Sequence, residues 1–238
     1  MKPSDIKNEI INFCIQNQKD ENIKKYSRYF KGGFVGYGLD AGLIEKKVKE
    51  IISENEMDIQ STYAVCKLLV QGKEYELPSF AMLMLNEYSK EFTKETFTKI
   101  GEWFSSGINN WAHTDGIVMY FFPVFWKNEI IQLEDLSEWR TASNKFQRRC
   151  VPVAMIKYLK HDTDYQKMFE FIDSMMMDSE REVHQGLGWF LRECCKKDKV
   201  QTETFLMKWK NDCARLIIQY ATEKMTREYR LKFRKEKA

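Results

Sequence analysis

Apolar residues recur along the chain at helical spacing, and the polar stretches between them are short. Ile6, Ile10, Ile11, Phe13 and Cys14 share one face, with Ser4-Asp5 placed to cap them. Ile23, Tyr26, Tyr29 and Phe30 predict a second helix between Asn22 and Lys31. Gly32, Gly33, Gly36 and Gly38 then mark a loop. No strand precedes it and no Lys-Ser/Thr follows, so it is not a phosphate-binding fingerprint. Asp40 and Asp58 read as caps of the next two helices, the second stopped by Gly72. Leu77-Pro78-Ser79 opens an apolar helix, and Thr93-Lys94-Glu95 opens another that Gly107 ends.

Asn109 to Asp115 then leads straight into the apolar run Gly116 to Phe122. Beyond it, Leu133 to Trp139 forms a further segment. Ser143-Asn144 caps a helix that tolerates Pro152 with a kink. Asp162 or Thr163 caps the next, Asp178-Ser179 caps Glu180 to Lys196, and Thr202 introduces a long helix through Tyr220. No strand run is evident. The pattern gives roughly a dozen helices of about 10–18 residues, paired with a period of about 35–40 residues from residue 58 onward. The expected fold is therefore all-α, an α-α superhelix or helical-repeat solenoid with a concave face. It is expected to form a single domain over residues 1–238.

The 238 residues suffice for a sizeable core, and 31% charged residues indicate a soluble protein. The longest uncharged apolar run, Gly116 to Trp126, is 11 residues, short of the roughly 20 a membrane span needs. No membrane association is expected. Net charge is only +3, yet residues 223–238 carry seven Lys or Arg against three Glu. A basic tail from about residue 224 fits contact with a polyanion, and equally a solvated last helical turn. The six cysteines lack a Cys-x-x-Cys spacing. With no signal peptide ahead of them, they read as reduced thiols of a cytoplasmic protein.

Trp111 and Asp115 are four residues apart and share a helix face. Gln147-Arg148-Arg149 and Gly188-Trp189 follow at intervals of 33 residues (Asp115 to Arg148) and 41 residues (Arg148 to Trp189). These intervals approximate one helix pair, and equivalent positions in a solenoid line up on one face. Each residue also fits a plainer role. Trp111 fits a core position, and Asp115 fits a favourable charge near a helix start. Arg148-Arg149 fits a solvated face or an inter-repeat salt bridge, and Gly186 and Gly188 fit close helix packing. His113, His161 and His184 are isolated and lack metal-ligand spacing. Met175-Met176-Met177 fits a gap-filling helix end.

Taken together, Trp111-x-x-x-Asp115, Gln147-Arg148-Arg149 and Gly188-Trp189-x-Leu191-Arg192-Glu193 resemble the AlkD-like DNA alkylation-repair family of HEAT-like-repeat DNA glycosylases. Their order and spacing agree over about residues 5–225. Tyr26 to Lys31 is similar to the family's N-terminal segment. The resemblance implies excision of N3- and N7-alkylated purines from duplex DNA by a monomer, with no cofactor and no metal. It implies Asp115, Trp111 and Trp189 as catalytic residues, the carboxylate stabilising an oxocarbenium-like sugar and positioning water. It implies DNA contacts by Arg148, Arg149 and Tyr29, with Arg148 gripping a phosphate bidentately. The family often has Trp-Asp-x-x-Asp; here the second position is Ala112. The alternative function is a catalytically inactive scaffold of the same fold, binding DNA structure or a protein partner.

Overall fold

The computed structural model describes residues 1–30 and 32–236. Lys31 of the N-terminal segment and Lys237 of the basic cluster lie outside the described residues. The all-α class expected from the periodicity is what the structure shows, with no strand among the described residues. The chain divides into two compact units, Met1–Val124 and Phe125 onward.

The first unit contains α1 (Pro3–Gln16), α2 (Asp20–Ser27), α3 (Ala41–Glu54), α4 (Ile59–Leu69), α5 (Glu76–Asn86) and α6 (Lys94–Ser106). It also holds the body of α7 (Trp111–Lys127). α4 packs on both α1 and α5, and α3 on α5. Ile10, Ile51, Leu69, Phe80 and Met84 are fully buried between them. Two caps act locally as expected. Asp58 forms a capping box with Ser61, and Thr93 forms one with Thr96. Asp40 stands at the start of α3 but caps nothing with its side chain. Its carboxylate instead meets Lys19 at 2.5 Å and Asn22 at 3.1 Å. α1 begins one residue earlier than Ser4, with Pro3 in its first turn, where a missing N–H costs nothing. α7 turns Ile117, Val118, Phe121 and Phe122 inward and leaves Met119 exposed.

The second unit contains α8 (Lys145–Tyr158), α9 (Tyr165–Ile172), α10 (Arg181–Cys195), α11 (Lys199–Trp209) and α12 (Arg215–Ala221). α10 packs on α8 and on α12, while α9 packs on α11. Alternate helices thus form two layers, the arrangement of a helical-repeat stack. Leu133–Leu136 and Glu138–Thr141 are short 3-10 turns rather than one helix.

Three expected features differ here. α9 is capped by Asp164, which accepts the Lys167 N–H. Asp162 is engaged elsewhere, by the Tyr158 hydroxyl and the Asp164 N–H. The long helix expected from Thr202 to Tyr220 is two helices, because Lys210-Asn211-Asp212 breaks it. Asn and Asp offer the backbone local alternatives to the helix, and Asn211 accepts the Glu236 N–H. Finally, the basic C-terminal residues are not the last turn of a helix: α12 ends at Ala221, and Lys224, Arg227, Lys232, Arg234 and Lys235 are exposed beyond it. Tyr229–Phe233 is a 3-10 turn anchored by buried Phe233. The Tyr229 hydroxyl donates to Glu203 at 2.9 Å.

Candidate functional site

Trp111 is the first residue of α7. Asn110 ahead of it acts as the cap, its side-chain oxygen accepting the His113 N–H at 2.9 Å. The Asn110 side-chain amide also lies 2.7 Å from His113 Nδ1, and His113 Nε2 lies 2.8 Å from the Tyr75 carbonyl oxygen. Both bonds are satisfied together when the amide donates to Nδ1 and Nε2–H donates to the carbonyl. The His113 ring stacks on the Tyr75 ring at 4.6 Å. Burial pulls the His113 pKa down to about 4, so the imidazole is neutral near pH 7. His113 fastens the start of α7 to the start of α5 and has no nitrogen left for proton transfer.

That fastening fixes Trp111 and Asp115 one helical turn apart on α7. Trp111 is 38% exposed, Asp115 is half-buried, and Ala112 is also partly exposed. Trp111 is therefore not a core tryptophan, unlike Trp103 and Trp126, which are 5% and 3% exposed. Its ring stacks on Phe30 at 5.8 Å with 21° between the planes. Tyr29, beside Phe30 in the turn after α2, is 62% exposed.

In the second unit, Arg148 lies in the first turn of α8. Its Nε and Nη2 donate to the two oxygens of Asp178 at 2.6 and 3.3 Å. Nη1 donates to the carbonyls of Ala142 and Ser143 at 2.7 and 3.2 Å. The fork that would grip a phosphate bidentately is thus closed on a carboxylate of the protein. This also explains why Asp178 does not cap α10. The N-cap position there is Glu180, and Asp178 accepts both the Arg148 guanidinium and the Glu180 N–H. Arg149 is buried, with Nη1 donating to the Glu182 carbonyl at 2.9 Å. Lys145 bridges Glu180 and Glu182 at 3.2 and 3.1 Å.

Trp189 is half-buried on α10, just after Gly186 and Gly188. A Cβ on Gly188 would lie 2.4 Å from the Tyr220 Cβ, and one on Gly186 would lie 3.2 Å from Pro152. The expected close packing is therefore present, and it grips α10 from α8 and α12 at once. Arg192, one turn beyond Trp189, pairs with Glu193 at 3.2 Å and Glu223 at 2.8 Å. A cleft of about 360 Å3 beyond it is lined by Arg192, Cys195, Lys196, Lys199, Lys224 and Tyr229. Each of its cations is answered by an acid, Glu193, Glu203 or Glu223.

Within the first unit the structure thus brings Trp111, Asp115 and the Tyr29-Phe30 turn to one helix start. Within the second it places Arg148 and Trp189 on packed neighbours, α8 and α10. Sequence reasoning overlooked His113, Phe30 and Asp178. The signals for Phe30 were its place in the Tyr26 to Lys31 segment that resembles the family's, and next to the glycine loop. Among the described residues, no group of three or more His, Cys, Asp or Glu could hold a metal ion. No described helix is long and apolar enough to cross a membrane. Burial raises the thiol of Cys14 to about 12 and that of Cys213 to about 11. Neither is an activated nucleophile.

These features define a helical-repeat protein whose candidate site is a tryptophan–carboxylate pair at a helix start. The chain belongs to the DNA alkylation repair enzyme family, whose model matches residues 14–225. A predicted DNA alkylation repair enzyme from Enterococcus faecalis shares its fold, with a TM-score of 0.73 and 17% identity over 89% of this chain and 98% of that one. AlkD2 from Streptococcus mutans is similar over 85% of this chain and 98% of its own, with a TM-score of 0.59 and 18% identity. No curated protein sequence matches the chain.

Proposed function

We propose that the protein is a monofunctional DNA glycosylase that releases N3- and N7-alkylated purines from duplex DNA. One observation carries the reading in a chain of this family: Asp115 and Trp111 sit one turn apart, partly exposed, on a helix start locked by a neutral histidine. An N-alkylated purine is cationic and a good leaving group. The C1′–N bond breaks with its electron pair going to the purine, which becomes neutral. Water oxygen bonds to C1′ and a water proton is lost to solvent. No strong general acid is required. Asp115 stabilises the positive charge developing on the sugar and orients the water. The Trp111 face packs on the deoxyribose and attracts the cationic lesion, and Trp189 contacts the DNA. Tyr29 contacts the DNA backbone, and Arg148 does so when its pair with Asp178 opens. Arg149, expected among the DNA contacts, is buried and donates to the Glu182 carbonyl, so its proposed role is to hold α8 to the start of α10.

The test is release of methylated purine from treated duplex DNA. Asp115→Asn is expected to lower the release rate by about 100-fold or more, the scale of losing one preorganised electrostatic group. A variant as fast as wild type defeats the role of Asp115. Absence of release from wild type defeats the activity itself. The second reading is a catalytically inactive scaffold of the same fold, and its support is that the Arg148 fork the glycosylase reading needs for a phosphate is closed on Asp178. It predicts salt-dependent duplex binding with no base released.

A further inference from the structure

The glycine loop has no role in the chemistry above, yet it is tied down more firmly than its composition suggests. Glu76, at the first turn of α5, is buried. Its carboxylate accepts backbone N–H groups from Tyr37 at 2.9 Å, Gly38 at 2.7 Å and Leu39 at 3.3 Å. The loop is thus an anion cradle filled by a carboxylate of the protein itself. Its residues fit that task closely. A Cβ on Gly36 would fall 2.7 Å from Glu76 Oε2. Gly38 adopts φ +74°, and a Cβ there would fall 2.5 Å from the Lys19 carbonyl oxygen. The Tyr75 N–H adds a bond to the Val35 carbonyl at 2.8 Å.

What this anchored loop delivers is a set of aromatic rings. Phe34 packs on Tyr75 and on Phe30, each at 5.4 Å. Phe30 meets Tyr75 edge-on at 5.7 Å and lies nearly parallel to Trp111. Tyr75 in turn carries the His113 ring, and its carbonyl oxygen accepts the hydrogen bond from His113 Nε2–H. Trp111 is therefore fixed twice, through its backbone by His113 and through its ring by Phe30.

We infer that Phe30 is a positioning residue that sets the plane of Trp111, and that Glu76 and the glycine loop serve to hold Phe30 in place. Phe30 packs against the indole at 5.8 Å, and Trp111 remains 38% exposed. A fixed, partly exposed indole is a rigid apolar surface suited to a deoxyribose or a planar cationic base. This rests on the glycosylase reading for its consequence, though not for its geometry. A ring fixed before substrate arrives helps most in the transition state, where orientation counts.

The experiment uses the full chain labelled with 5-fluorotryptophan, which carries six tryptophans. The Trp111 fluorine resonance is assigned by its loss in Trp111→Phe. Phe30→Leu and Glu76→Gln are expected to move that resonance, and Phe30→Tyr to restore it. Phe30 is only partly buried, so Phe30→Leu should stay folded even if Glu76→Gln does not. On methylated duplex DNA, Phe30→Leu should lower kcat about tenfold with KM within about twofold, and Phe30→Tyr should recover kcat. A Trp111 resonance unmoved in Phe30→Leu overturns the proposal. So does an unchanged kcat in Phe30→Leu when wild type is active. If wild type releases no base while the resonance moves, the positioning stands and the glycosylase reading falls.

Discussion

The starts of α7 and α8 each present a candidate DNA-facing side chain, and they hold it by opposite chemistry. At α7, neutral groups do the work: an uncharged histidine with both nitrogens bonded, an asparagine cap and stacked rings. At α8, charges do it: Arg148 on Asp178 and two carbonyls, with Lys145 across Glu180 and Glu182 beside it. The neutral lock at α7 adds no charged side chain of its own beside Asp115, the residue proposed to act on the sugar. A charged lock neutralises its own arginine, which weakens it as a phosphate ligand unless the pair opens. The difference suggests a division of labour, with fixed geometry in the first unit and exchangeable ion pairs in the second.

The largest expected effect tests the charged lock. The side chains of Arg148 and Asp178 are 15% and 8% exposed, so Asp178→Ala strands a largely buried cation. Losing one partner of such a pair costs about 3–5 kcal/mol, which urea unfolding at pH 7 would show. Arg148→Met combined with Asp178→Leu should recover part of that loss, since replacing both partners is far cheaper than removing one. A loss below about 1 kcal/mol in Asp178→Ala would place the pair with weak surface bridges and remove the contrast.

The neutral lock should fail with acid. His113 has its folded pKa near 4, below the ordinary histidine value near 6.5. Its neutral form is favoured by folding, so its contribution is fully present above about pH 6.5 and is lost as pH falls towards about 4. The lost stability is about 3 kcal/mol, the fall from 6.5 to about 4 at about 1.4 kcal/mol per pH unit. His113 is 3% exposed, so solvent screening takes little from this. Unfolding at pH 7.5 and pH 4.5, wild type beside His113→Gln, isolates the term. If both proteins lose the same stability on acidification, His113 is not the neutral lock.

Which parts of these locks were legible in the sequence depends on how far a side chain reaches. Asp58, Thr93 and Asn144 act on backbone two or three residues away, so their caps could be read directly. Asp40, Asp162 and Asp178 look the same in sequence but serve Lys19, Tyr158 and Arg148. Only the fold shows that competition. The Trp111–Asp115 pair was legible because helix geometry makes residues four apart neighbours. Phe30 was not, because its contact with Trp111 closes across most of the first unit. His113 was set aside for lacking metal-ligand spacing, an argument that says nothing of a buried hydrogen-bonding role. The break at Lys210-Asn211-Asp212 was hidden because apolar residues resume in helical phase at Leu216.

The smallest effect concerns how tightly each region tolerates added volume, and it ranks glycines by what surrounds them. On Gly188 a methyl would strike the Tyr220 Cβ and come within 2.8 Å of the Ile217 carbonyl oxygen, groups that cannot turn aside. Gly188→Ala should therefore force α10 off α12 and destabilise by about 1–3 kcal/mol, the usual range for overpacking. On Gly116 in α7 the added methyl meets only the Met82 side chain, at 3.1 Å from sulfur. Methionine is flexible and yields, and alanine is the better helix former by about 0.8–1.0 kcal/mol. Gly116→Ala should thus be neutral within about 0.5 kcal/mol or slightly stabilising. Thermal unfolding of the two variants reads the comparison directly. Equal losses would mean that α7 is as tightly enclosed at Asp115 as α10 is at Trp189, leaving no slack beside the carboxylate for a bound sugar.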